Sequence, residues 1–201
     1  MLWIGRAQRL VVIGMVLAVI PTGVNARNSK PEAAPSTYSA LTYGLTFQTP
    51  KNASYCPRRT LDMDHGTTLF LIMPPACSKR AERTPSINIF YAYWMDEDEP
   101  PNPTCRPLGV AKMFGRSTRL CGFVWRGMKG VWVQRKFDAT PEAKVSFSLT
   151  TTTARFDADL ATFKALLATV RTCTATWGDA KHPPQFTVGV GPPCPDNGDI
   201  F

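Results

Sequence analysis

Histidine is scarce in this chain: His65 and His182 are the two it has in 201 residues. That limits acid–base catalysis and zinc binding, both of which draw heavily on imidazole. Cys-x-x-Cys is absent, and no histidine stands at metal-ligand spacing from a cysteine, so no metal and no cofactor are expected. Gly-x-Ser-x-Gly and a Gly-rich phosphate loop are also missing, which removes the motif case for a hydrolase elbow or a nucleotide cradle. Beyond the first residues, no apolar run approaches the ~20 residues of a spanning helix, so stable membrane insertion is not expected. No block of like charge stands out either. The net charge of +8 is dispersed in pairs such as Arg58-Arg59 and Lys79-Arg80. A spread positive surface serves solubility first and attraction of an acidic partner second.

The opening residues read as a secretory signal. Arg6 and Arg9 come first, residues 10–20 are apolar throughout, and Pro21 and Gly23 break any helix. Val24-Asn25-Ala26 then fits a signal-peptidase site, so residues 1–26 are expected to be removed and the mature chain to be periplasmic or secreted. An exported protein rarely meets nucleic acid, which leaves an acidic protein or an envelope polymer as the natural target of its charge. Six cysteines follow: Cys56, Cys77, Cys105, Cys121, Cys173 and Cys194. An even number in an exported chain points to a disulfide framework. Six cysteines allow many pairings; joining chain neighbours gives the shortest loops, and each such bridge contributes about 3 kcal/mol.

The length suits one domain with a proper core. Residues 27–40 are polar and rich in Pro, Ala and Ser, and read as a flexible leader. Residues 41–175 form the expected domain. Residues 176–201 form a Pro/Gly-rich tail tied down by Cys194. Within the domain, strands are expected at residues 45–48, 67–73, 86–95, 108–114, 119–126, 131–137 and 144–152. Ile87, Ile89, Tyr91 and Tyr93 share one face; Val145, Phe147 and Leu149 alternate against serines. Residues 76–83 suggest a helical turn or two, and 127–130 a reverse turn. One helix is clear: Asp157 as N-cap, then Leu160, Phe163, Leu166, Leu167 and Val170 at helical spacing, with Arg171 in the last turn. Its apolar stripe needs a sheet to cover. The fold class is α+β: an antiparallel meander sheet packed by a C-terminal helix, stapled by disulfides.

The opener Tyr43-Gly44-Leu45-Thr46-Phe47-Gln48-Thr49-Pro50, the hairpins and the closing 159–170 helix together resemble the PsbP-like fold and its small periplasmic relatives. That resemblance implies a hairpin sheet with helices packed on it, and a role in binding or assembling other proteins; it brings no catalytic residue. The six cysteines depart from its pattern. Size and make-up also resemble exported immunity proteins, which neutralise toxins.

Aromatic residues carry the binding expectation. Trp94, Trp125 and Trp132 fall on neighbouring expected strands, with Arg126, Arg135 and Lys136 nearby. Trp, Tyr and Arg anchor interfaces, and aromatics fill cores equally well, so the same residues fit a contact surface or the space under the helix. A second contact is the acidic run Asp96, Glu97, Asp98 and Glu99, which lacks the spacing of a calcium loop. His65 with Asp62 or Asp64 could orient a base, the basis for an alternative reading as an envelope hydrolase; a structural envelope subunit is a third. The reading adopted is non-enzymatic: an exported protein that binds another protein as an inhibitor or immunity factor.

Overall fold

The computed structural model describes residues 30–40, 44–56, 66–74, 77, 83–93, 105–136, 143–177 and 186–195. The architecture is α+β. An eight-stranded antiparallel sheet runs in the order β1(Glu32–Ala33), β4(Ser54–Tyr55), β5(Gly66–Phe70), β6(Ser86–Tyr93), β10(Ala143–Thr151), β9(Met128–Lys136), β8(Arg116–Trp125), β7(Arg106–Met113). A small sheet of β2(Thr37–Ala40), β3(Leu45–Gln48) and β11(Arg171–Thr172) joins the core, and β12(Ala175–Trp177) pairs with β13(Phe186–Val188). One helix, α1(Phe156–Thr169), closes the domain. The large sheet is two meanders rather than one. The chain leaves β6, enters again at the far edge as β7, and returns through β8 and β9 until β10 lies beside β6.

Registers divide this sheet into two faces, because residues directly opposite across an antiparallel pair point the same way. Val145 and Phe147 pair with Arg135 and Val133, and Phe147 and Leu149 pair with Ile89 and Ile87. Ile87, Ile89, Val131, Val133, Val145, Phe147 and Leu149 are all buried there. Phe163, Leu166, Leu167 and Val170 of the helical stripe join them. Phe47 of the small sheet stands edge-on to Phe147 at 5.7 Å and stacks on Tyr38 at 5.0 Å. Helix and small sheet therefore cover the same face.

The helix starts one residue before Asp157, which sits in the first turn instead of capping it. Asp159 is buried. The Arg155 guanidinium grips its carboxylate, Nη2 to Oδ1 at 2.8 Å and Nε to Oδ2 at 3.2 Å, and the Thr151 hydroxyl donates to Oδ2. A buried carboxylate with this many donors is satisfied. Arg171 lies past the helix in β11, yet its Nη1 donates to the Ala168 and Val170 carbonyls at 2.9 and 2.7 Å, a cation at the negative helix end.

Several expectations need correction. The 27–40 segment is not a flexible leader in its second part: β1 and β2 lie there, and Tyr38, Ser39 and Ala40 are buried. Composition argued for disorder, but four residues pairing with β3 suffice to carry Tyr38 onto Phe47. Strand β5 ends at Phe70, leaving Ile72 and Met73 exposed. The 127–130 turn is shorter than expected: Arg126 and Gly127, both at positive φ, make a two-residue turn, and β9 begins at Met128. The cysteines pair as chain neighbours: Cys56–Cys77, Cys105–Cys121 and Cys173–Cys194. No helix among the described residues is long and apolar enough to cross a membrane.

Candidate binding surface

On the face away from α1, alternate residues of β8 and β9 form a row. Trp125 pairs with Met128, Phe123 with Gly130, and Cys121 with Trp132. Each pair occupies one step along the hairpin, so Trp125, Phe123 and Trp132 follow one another on the same side. The row is held rigidly. The Arg126-Gly127 turn fixes its tip. Gly130 leaves room for the Phe123 ring, whose edge lies where a Cβ at 130 would stand. Cys121 bridges to Cys105 and so fixes the start of β7 against the row.

Exposure rises toward the tip along β8. Cys121 and Met128 are buried, Phe123 and Trp132 are half-buried, and Trp125 is 39% exposed. The Arg126 guanidinium lies over the Trp125 ring at 4.5 Å, a cation–π contact that presents charge and aromatic surface together. Two strands from Trp132, Phe90 is 44% exposed on the same face, beyond Ser146 and Gln134. The Trp132 Nε1–H is buried and has no hydrogen-bond partner. An orphaned donor of this kind costs about 1–3 kcal/mol.

Sequence reasoning placed Trp125, Trp132 and Arg126 together, and the structure brings them to one face. Arg135 is a correction. Its separation from Trp132 is odd, so it points to the helix side, where its Nη1 reaches the Thr118 hydroxyl at 3.4 Å. Trp94 and the acids Asp96, Glu97, Asp98 and Glu99 lie outside the described residues, as do Asp62, Asp64, His65 and His182. Among the described residues no group of three or more His, Cys, Asp or Glu side chains could hold a metal ion.

Sequence reasoning missed a second feature, on the helix side of the same hairpin. Strand β7 carries one extra residue between Pro107 and Val110, with Gly109 at positive φ. That bulge turns Leu108 onto Gly122; a Cβ at 122 would come within 2.7 Å of Leu108 Cδ1. A cleft of ≈ 320 Å³ lies there, between these strands and Phe156 at the start of α1. Its signal in the sequence was a pair of glycines inside expected strands.

No family model and no curated protein sequence matches the chain. Among solved structures, it is similar to the solution structure of cyanobacterial PsbP (CyanoP) from Synechocystis sp. PCC 6803. The identity is 8% and the TM-score 0.43, covering 79% of this chain and 99% of that one. It is also similar to a protein of Bacteroides thetaiotaomicron VPI-5482, at 11% identity and TM-score 0.36, over 72% of this chain and 48% of the other. The first likeness is of the kind the opener and closing helix suggested; both are remote resemblances of architecture.

Proposed function

We propose that this chain is exported and acts by binding another protein rather than by catalysis, as an inhibitor or as an immunity factor that neutralises a toxin. The observation that supports this reading is the row Trp125, Phe123, Trp132 on the sheet face that α1 does not cover, with Arg126 stacked at its exposed end. Rigid aromatic anchors beside an arginine are the residues that dominate interface energies. A strand pair locked by a tight turn and a disulfide loses little freedom on docking. The acidic run at 96–99 offers a further contact for a basic partner. Export is supported by the 1–26 leader pattern and by three disulfides, which persist in oxidising compartments.

The test uses purified full-length mature protein as bait against the envelope and secreted fractions of its own organism. Wild type is expected to retain one stoichiometric partner, and Trp125→Ala with Arg126→Ala to lose it while melting at the wild-type temperature. Retention of many copies of the chain itself would favour a structural subunit instead. Cleavage of an envelope polymer that vanishes in His65→Ala would overturn the binding reading.

A further inference from the structure

The cleft beside α1 has walls of Leu108, Val124, Phe123 and the Phe156 ring, with Gly122 beneath Leu108 and Gly130 alongside. Val124, next to the last residue of β8, is 77% exposed. Two cations stand on either side of strand β8. Arg106 pairs in register with Gly122 from β7, and Lys129 pairs with Val124 from β9. Both share the face of the cleft, their backbones about 12 Å apart, two strand spacings across and two residues along β8. The Lys129 ammonium is held over the Phe156 ring at 4.8 Å. Neither cation meets a carboxylate among the described residues.

We infer that this cleft binds a small apolar acid: a ligand whose hydrocarbon part lies on Leu108, Val124 and Phe156 and whose carboxylate lies between Arg106 and Lys129. Charge complementarity selects the acid over a neutral or cationic amphiphile. The volume is at the lower end of small-ligand sites, which suits a medium-chain carboxylate rather than a folded partner. Burying its chain removes apolar surface from water on both sides, and the two cations fix its orientation by charge-assisted hydrogen bonds. The cleft shares Phe123 and Gly130 with the aromatic row, while Trp125 and Trp132 do not line it, so substitutions at those two tryptophans distinguish the two sites.

The test is an NMR titration of the mature protein with decanoate, and in parallel with decanol, both below the concentration at which they form micelles. Decanoate is expected to shift the amides of Gly122, Val124 and Lys129 saturably, and to bind about tenfold or more tightly than decanol, a charged hydrogen bond's worth of discrimination. The pair Arg106→Gln and Lys129→Gln is expected to bring decanoate down to the affinity of decanol and leave decanol unchanged. Val124→Trp, at the open mouth, is expected to weaken both. Equal binding of the acid and the alcohol would overturn the inference. So would shifts centred on Trp125 and Trp132, or the absence of any saturable shift with decanoate.

Discussion

The two faces of the eight-stranded sheet are built from alternate residues of the same strands, yet they do different work. Toward α1, β10 presents Val145, Phe147 and Leu149, each fully buried. Away from α1 it presents Ser146 and Ser148, and its neighbours present Gln134, Trp132, Asn88 and Phe90. Period-2 alternation commits one face to the core and leaves the other free to vary at little cost in stability. What occupies the free face near the β8–β9 tip is not the usual polar cover but an aromatic row. That contrast separates the residues that hold this fold from the row on which the proposed contact rests.

The sharpest way to break the contrast is Phe147→Ala. It empties the space where Phe47 and the helix meet the sheet, and should cost about 3–5 kcal/mol in urea unfolding. If it costs no more than Trp125→Ala, the division of faces is wrong. Next, replacing Cys105 and Cys121 together by Ala should cost about 2–4 kcal/mol by the loop they close, read as a fall in the thermal midpoint. Asp159→Asn keeps the size of the side chain but discards the charge gripped by Arg155. A loss of about 1–3 kcal/mol is expected, since one of the two acceptor oxygens becomes an NH2 donor and can no longer accept from Thr151 or Arg155, while Arg155 can turn to water. Trp132→Phe removes the orphaned indole N–H and should be neutral or stabilising by up to about 1 kcal/mol. A large loss there would mean the indole is a core element.

The smallest effect is at the far edge. Burial, followed by the hydrogen bond its hydroxyl donates to Glu32 at 3.1 Å and that carboxylate's charge, holds the Tyr55 phenol above its ordinary value. A folded value raised in this way favours the protonated form. The contribution is therefore present below the unfolded phenol value and lost as pH rises through the folded one. Ultraviolet titration of phenolate, with Tyr55→Phe to assign the signal, should show Tyr55 ionising late in wild type and earlier in Glu32→Gln.

Much of the fold was legible because it rests on periodicity. Alternation at Val145, Phe147 and Leu149 and the 3.6-residue stripe from Leu160 to Val170 each announce an element and the face it buries. Even cysteine number and short loops gave the bridges. The crossover from β6 to β7 was not legible, since strand order depends on long-range pairing that no local pattern encodes. Residues 37–40 were hidden by their small polar neighbours; Tyr38 was the one hint. At the candidate site the sequence put Trp125 and Trp132 on neighbouring strands, but their common face depends on the register of the β8–β9 turn; parity along β9 alone sets Arg135 apart from Trp132. The cleft left only the two strand glycines as a signal, because a one-residue bulge at Gly109 changes the local register.

The central claim is that the β8–β9 aromatic row is a docking face. A photo-crosslinking residue placed at 125, and for comparison at Ala165 on the exposed side of α1, tests it most directly in the native organism. One discrete partner joined at 125 and none at 165 is the expected result. Equal labelling from both positions, or none from 125, would contradict the account.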